Sequence, residues 1–207
     1  MFESFLSKFN KDELKGGEQA SSFSFPINMV GLEEFFSNYS GSSFNQGLYR
    51  IHSFENISKW NKIVGEAFPS FSQRIFCFGY DWLGRQFALD LGRSEAGEPL
   101  VLIFEPGTGE ALEIPVNFAQ FHEDELVNYT NEALAVEFFS EWLVTGNEPP
   151  ASSQCVGYKK PLFLGGADIV ANLELIDLEV YWGISGQLLE KIRGLPPGTP
   201  ISNITIK

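Results

Sequence analysis

Four short apolar runs, spaced by turn residues between Arg74 and Val116, constrain this chain more than any other feature of its sequence. Arg74-Ile-Phe-Cys-Phe-Gly-Tyr80 is apolar at successive positions, as a strand covered on both faces must be. Asp81-Trp-Leu-Gly84 then supplies a turn into Arg85 to Leu91, where Phe87, Leu89 and Leu91 alternate with other residues. Pro99 to Glu105 and Ala111 to Val116 flank Pro106-Gly-Thr-Gly109, a hairpin signal with glycine available for a positive φ. Runs this short, joined by turns this tight, predict an antiparallel meander rather than a parallel sheet, which needs long crossovers.

The flanking segments carry helical spacing instead. Phe2, Phe5, Leu6 and Phe9 share one helical face, and a polar, glycine-containing stretch from Lys11 to Ser22 follows. Residues 1–22 are therefore expected to form an arm that need not be tightly attached. Helices are predicted over 29–39, 57–68, 117–127 and 131–144, the last with Leu134, Phe138, Phe139, Trp142 and Leu143 as its apolar set. A short extended run covers Gly47 to His52. After the Pro149-Pro150 loop, Asp177 stands as the N-cap of a helix over 178–193 that ends at Gly194, and 201–206 reads as a last strand. The fold class is α+β, a central antiparallel sheet flanked by helices. With 43% apolar residues and 20 Phe, one domain over 1–207 can bury a sizeable core.

Charge is segregated. From Ser94 to Tyr158 there is no Lys or Arg but there are twelve Asp and Glu, which leaves 15 acids against 14 bases elsewhere. Nucleic-acid affinity depends on Lys and Arg displacing counterions, so a chain charged in this way repels DNA and RNA. A basic protein is the partner such a field attracts, and complementary fields raise association rates by roughly 10 to 1,000-fold. Glu123, Asp124 and Glu125 form the densest cluster. With Glu132, Glu137 and the exposed edge of a turn at Asp81, they are the candidate partner-binding residues.

Catalytic and metal chemistry find little support. The two histidines, His52 and His122, and the two cysteines, Cys77 and Cys155, match neither a zinc-binding spacing nor a nucleophile with an activating base. Gly107, Gly109, Gly165 and Gly166 fit no phosphate-binding loop and read as turn residues. No catalytic residue, metal or cofactor is expected, and the cysteines are expected to be free. The N-terminus lacks the basic and continuous apolar regions of a signal peptide, and no apolar run approaches the roughly 18 residues of a membrane span. A cytoplasmic protein without a membrane association is expected.

Four strings carry a resemblance: Phe44-Asn-Gln-Gly-Leu-Tyr-Arg50, Phe78-Gly-Tyr-Asp-Trp-Leu-Gly-Arg85, Pro161-Leu-Phe-Leu-Gly-Gly166 and Val180-Tyr-Trp-Gly-Ile-Ser-Gly-Gln187. As a set they resemble a bacterial family of immunity proteins for type VI secretion DNase effectors, broadly similar to the SUKH immunity superfamily. The resemblance runs from about Leu32 to Ile206. It implies a GAD-like part over 23–146 and an immunity-family part over 154–207 packed on it. It also implies a non-catalytic, antitoxin-like protein that neutralises a cognate secreted toxin, a nuclease with a basic surface. The alternative is a SUKH-like scaffold that binds an endogenous protein.

Overall fold

The computed structural model describes residues 1–13 and 29–195. The strand expected over 201–206 and most of the loop expected over 11–22 lie outside the described residues.

The meander is present and is longer than its sequence signature. Strands β1 (Ser43–Phe44), β2 (Tyr49–Ile51), β3 (Ile75–Asp81), β4 (Gln86–Glu95), β5 (Glu98–Glu105) and β6 (Glu110–Asn117) form one antiparallel sheet in chain order. Helix α1 (Glu3–Lys8) and α2 (Leu32–Tyr39) precede it, and α3 (Phe54–Ala67) connects β2 to β3. After β6 come α4 (Phe118–Gln120), a π-helical turn (Phe121–Glu125), α5 (Leu126–Asn128), α6 (Thr130–Leu134) and α7 (Val136–Val144). A separate hairpin of β7 (Gln154–Tyr158) and β8 (Leu173–Asp177) leads into α8 (Leu178–Ile192). Asp177 caps α8 as expected, its Oδ1 accepting from the amides of Glu179 and Val180 at 3.0 Å.

Alternation along the strands sends side chains to two separate apolar layers. On one face Tyr49, Phe76, Phe78, Phe87, Leu89, Val101 and Ile103 pack with the helices α1, α2 and α4 to α7. On the other, Ile75, Cys77, Ala88, Leu102 and Phe104 pack with α3 and α8 through Trp60, Val64, Tyr181 and Trp182. Both layers draw residues from either side of Pro149: Val156 and Leu173 join the first, Cys155 and Leu178 the second. The Val156 amide donates to the Trp82 carbonyl at 2.7 Å, so the β7–β8 hairpin is tied to the β3–β4 turn. Trp82 and Trp182 are fully buried, with indole N–H groups donating to the carbonyls of Leu134 at 2.8 Å and Gly84 at 2.7 Å.

Three features differ from the sequence reading. Phe2, Phe5 and Phe9 of the expected arm are buried in the first layer, where Phe5 packs edge-on against Phe44 and Tyr49. The helix expected over 131–144 is interrupted at Ala135, whose φ of 51° is left-handed; the Glu137 amide then donates to Asn131 Oδ1 at 3.0 Å instead of into a continuous helix. Finally, the sequence reading placed no strand at β7 or β8; β7 is buried at Cys155, Val156 and Gly157, whereas its partner β8 exposes Glu174, Leu175 and Asp177.

A buried polar hub sits at the β3–β4 turn. Asp81 Oδ1 accepts from the amides of Leu83 and Arg85 at 3.0 and 2.9 Å, and Oδ2 accepts from Arg85 Nε at 2.6 Å. Arg85 continues to Glu105 at the end of β5 at 3.1 Å and to the Ala133 carbonyl of α6 at 2.7 Å. Gly84 closes the turn at φ +76°, and a Cβ there would lie 2.9 Å from Cys155 Sγ.

His122 is enclosed by Phe2, Phe5, Phe35, Phe118 and Phe121. Its Nδ1 lies 2.9 Å from the Phe118 carbonyl, which can only accept, so Nδ1 carries the proton and Nε2 accepts from the Tyr49 hydroxyl at 3.0 Å. His52 lies between Trp60 and Tyr80 and is hydrogen-bonded to Gln86 at 2.7 Å. Burial drives each imidazole down to about 3.

Two outcomes follow from this packing. Phe5→Ala should destabilise the protein by about 3–5 kcal/mol, because it opens a cavity among five aromatic rings; chemical denaturation followed by tryptophan fluorescence measures it, and a loss under ~1 kcal/mol would show that α1 is not integral to the core. Stability should also fall as pH drops from 6.5 toward 3. Over that window the unfolded chain protonates both histidines and the folded chain does not, at a cost of up to about 1.4 kcal/mol per pH unit for each. Asp81, raised by burial to about 6 against the pull of Arg85, acts in the opposite sense between 6 and 3.8 and offsets part of the loss. Unfolding free energies at pH 7 and 5 read the net, and stability that rises on acidification would contradict it.

Candidate functional site

Of the candidate residues, Glu123, Asp124, Glu125, Glu132 and Glu137 lie on the elements that follow β6. The first reason is a helical register adjusted by the π-helical turn, which admits an extra residue per turn. In that turn the adjacent residues Phe121 and His122 both face the core, while Asp124 is exposed. The second reason is the left-handed Ala135, which redirects the chain so that α6 and α7 each present one acid, Glu132 and Glu137, to a common cavity. That cavity, of about 450 Å³, is also lined by Lys8, Leu48, Asn131 and Val136. Lys8 is engaged there, its Nζ donating to the Val127 carbonyl at 2.5 Å.

The six residues singled out from the sequence thus fall into three groups. Glu132 and Glu137 are exposed and brought together around the cavity, and Asp124 is exposed beside them in chain order. Glu123 and Glu125 are half-buried. Glu123 has a structural task, with its two oxygens facing the amides of Ser4 and Phe5 at 3.4 Å across the N-terminus of α1, where a carboxylate offsets unsatisfied N–H groups. Asp81 is a correction: expected at an exposed turn edge, it is 0% exposed and consumed by Arg85 and the turn amides, so it offers nothing to a partner.

Compensation is scarce over the whole stretch. Of the twelve acids between Ser94 and Tyr158, only Glu105 and Glu113 have a basic group within 4.0 Å among the described residues, Arg85 and Arg93 respectively. Exposed apolar side chains accompany the acids, Tyr129 at 54% and Val144 at 86%.

What sequence reasoning missed is a second concave feature, lined by Ser43, Gln46 and Gly47 at the β1–β2 turn. Arg50 is 3% exposed and lines a cavity of about 330 Å³ with the Pro149–Ser152 loop. The signal was present in the Gly47-Leu-Tyr-Arg50 string: Gly47 takes φ +80°, and a Cβ there would collide with Arg50 Nη2. Cys77 and Cys155 are free and buried, and burial raises both thiols. Among the described residues no group of three or more His, Cys, Asp or Glu is arranged to hold a metal ion, and no helix is long and apolar enough to cross a membrane.

The whole fold is similar to one already solved, the crystal structure of Atu4351 from Agrobacterium tumefaciens. The TM-score is 0.61 with 16% identity, over 97% of this chain and 96% of that one, a likeness of fold. No curated protein matches the chain. Residues 116–189, from the end of β6 through the acidic helices and the β7–β8 hairpin into α8, match the family described as T6SS immunity protein Tdi1, C-terminal. In this segment, about a third of the chain, the protein is similar to a type VI secretion immunity protein family.

Proposed function

We propose that this protein is a non-catalytic immunity protein that binds and neutralises a cognate secreted nuclease, and that the contact runs through Asp124, Glu125, Glu132 and Glu137. One observation carries the reading: the acids from Glu123 to Glu148, all on the family-matched segment, have no basic group within 4.0 Å among the described residues and gather on elements that a folded core holds in place. A nuclease is basic where it meets phosphate, so an unneutralised acidic face competes for that surface without any chemistry of its own. Glu132 and Glu137, on either side of one cavity, suit an inserted Lys or Arg side chain, since the one cation in its lining, Lys8, is directed to Val127.

Because Glu123 caps α1, the informative variant leaves it intact. The triple substitution Asp124→Asn, Glu132→Gln, Glu137→Gln should slow association with the cognate toxin by about tenfold or more at low salt and flatten the salt dependence of the rate, with little change in thermal stability. Stopped-flow association at two ionic strengths measures this. Unchanged rates and an unchanged salt slope would show that these acids are not the contact surface.

A further inference from the structure

The outer edge of β8 is a row of backbone groups that the fold leaves open. Bonds at the two ends of the hairpin set its phase: the Leu178 amide donates to the Ser153 carbonyl at 2.9 Å, and the Lys159 amide to the Asn172 carbonyl at 2.8 Å. In the same register Cys155–Ile176 and Gly157–Glu174 are the hydrogen-bonded pairs. The backbone groups of Gln154, Val156 and Tyr158 on β7, and of Leu173, Leu175 and Asp177 on β8, therefore point away from the hairpin. On β7 the outward amides are taken, by the carbonyls of Ala151 and Trp82 and by the Tyr181 hydroxyl. On β8 the Leu173 amide turns back to the Val170 carbonyl, but neither the amide nor the carbonyl of Leu175 has a partner among the described residues. Other strand edges are protected: Lys11 bridges to Phe44 along β1, and β6 carries Pro115, whereas β8 runs in unbroken register without proline.

That edge is reachable. A cavity of about 760 Å³ touches Leu173, Glu174 and Leu175, three successive residues whose side chains leave on opposite faces, so what they share with it is the strand edge. Trp142, near the end of α7, and Thr145 to Glu148 form the opposite wall, and Leu175 is 39% exposed. From the rise, the 4.8 Å spacing and the 10 Å depth of a sheet, an added strand takes roughly 160 Å³ per residue, so the space holds about four or five. Charge selects the occupant. Glu148 and Glu174 on the lining are exposed with no basic group within 4.0 Å among the described residues, and Lys159 there is committed to the Ala171 carbonyl at 3.0 Å. Pairing two copies edge to edge about Leu175 would set their Glu174 residues at diagonal positions, roughly 7–8 Å apart, whereas a cationic segment would be drawn in. Helix α7 also joins this groove to the proposed contact surface, since Trp142 lies about 7.5 Å along the axis from Glu137. Resting on the toxin-binding reading, we infer that the β8 edge receives an extended, lysine- or arginine-bearing segment of the toxin as an added strand, hydrogen-bonded to the Leu175 amide and carbonyl.

Amide hydrogen exchange of the full chain, alone and with the cognate toxin, tests this. The Leu175 amide should exchange without protection in the free protein and slow by about 100-fold or more in the complex. Leu175→Pro removes that donor at a position where the hairpin loses no hydrogen bond. It should leave thermal stability nearly unchanged and speed dissociation from the toxin by about tenfold or more, with little change in the association rate. Leu175→Ala, which keeps the N–H, should dissociate more slowly than the proline variant. Should Leu175→Pro fail to fold, the exchange measurement on the unsubstituted chain decides. A toxin that binds without slowing Leu175, or that holds Leu175→Pro as tightly as the unsubstituted chain, overturns the strand addition and leaves the acidic contact standing. Absence of any binding overturns both. Protection of Leu175 already present in the free monomer would assign the edge to residues 196–207 of this chain, and protection that rises with concentration alongside a dimer mass would assign it to a second copy; either result overturns the inference.

Discussion

The Asp81–Arg85 pair is the interaction on which most of this structure turns. A carboxylate with no solvent exposure is held by two turn amides and one guanidinium, and that guanidinium goes on to β5 and α6. Such a pair gives little net stability over an apolar replacement, but losing one partner strands a buried charge and costs about 3–5 kcal/mol. What the pair contributes is geometry. It fixes the turn that carries Trp82 and Gly84, and each of these grips a different layer: Trp82 donates to α6, and Gly84 accepts from Trp182 of α8. The two apolar layers are thus registered to each other through one turn rather than only through the sheet between them.

The acidic helices depend on that hub from the other direction. Arg85 accepts no compromise in the position of Ala133, because its Nη2 is directed at that carbonyl, and Ala133 immediately follows Glu132. The same stretch wraps His122 in aromatic rings on its inner side and exposes Asp124, Glu132 and Glu137 on its outer side. Like charges held close on a surface repel one another, and the dense core beneath them offsets that repulsion. A platform of this kind meets a partner already ordered, so less of the binding energy is lost to immobilising side chains and loops.

The sheet and the long helices were legible because their signals are local. Glycine-bearing turns at Gly84 and Gly107 to Gly109 mark the meander, and Asp177 marks the start of α8 within one residue. The Ala135 interruption was not legible, since Ala is the strongest helix former and nothing in its neighbours announces a positive φ. Asp81 was misplaced for a related reason: in sequence it is a turn aspartate, and turns are usually exposed, but its burial depends on Arg85, Glu105 and α6 converging from distant positions. Glu123 looked like part of a field because the two amides it faces lie 118 and 119 residues away. The acidic stretch itself was readable in full, but composition alone could not divide it into residues that serve the fold and residues left for a partner.

A long-range field cannot by itself identify that partner. Acids without basic neighbours attract any basic protein and speed the encounter, and at physiological salt that attraction fades within about 8 Å. Discrimination between one cationic surface and another has to come from short-range features that reward a single shape and penalise the rest. The fold does not provide them, because a chain of 16% identity holds the same architecture with other side chains. A concave place that fits one side chain and excludes others is a feature of that kind. The cavity shared by Glu132 and Glu137 is such a place, lined by residues of α1, α6, α7 and the Asn45–Leu48 turn. A side chain that enters it must match its shape as well as its charge, a narrower condition than being basic.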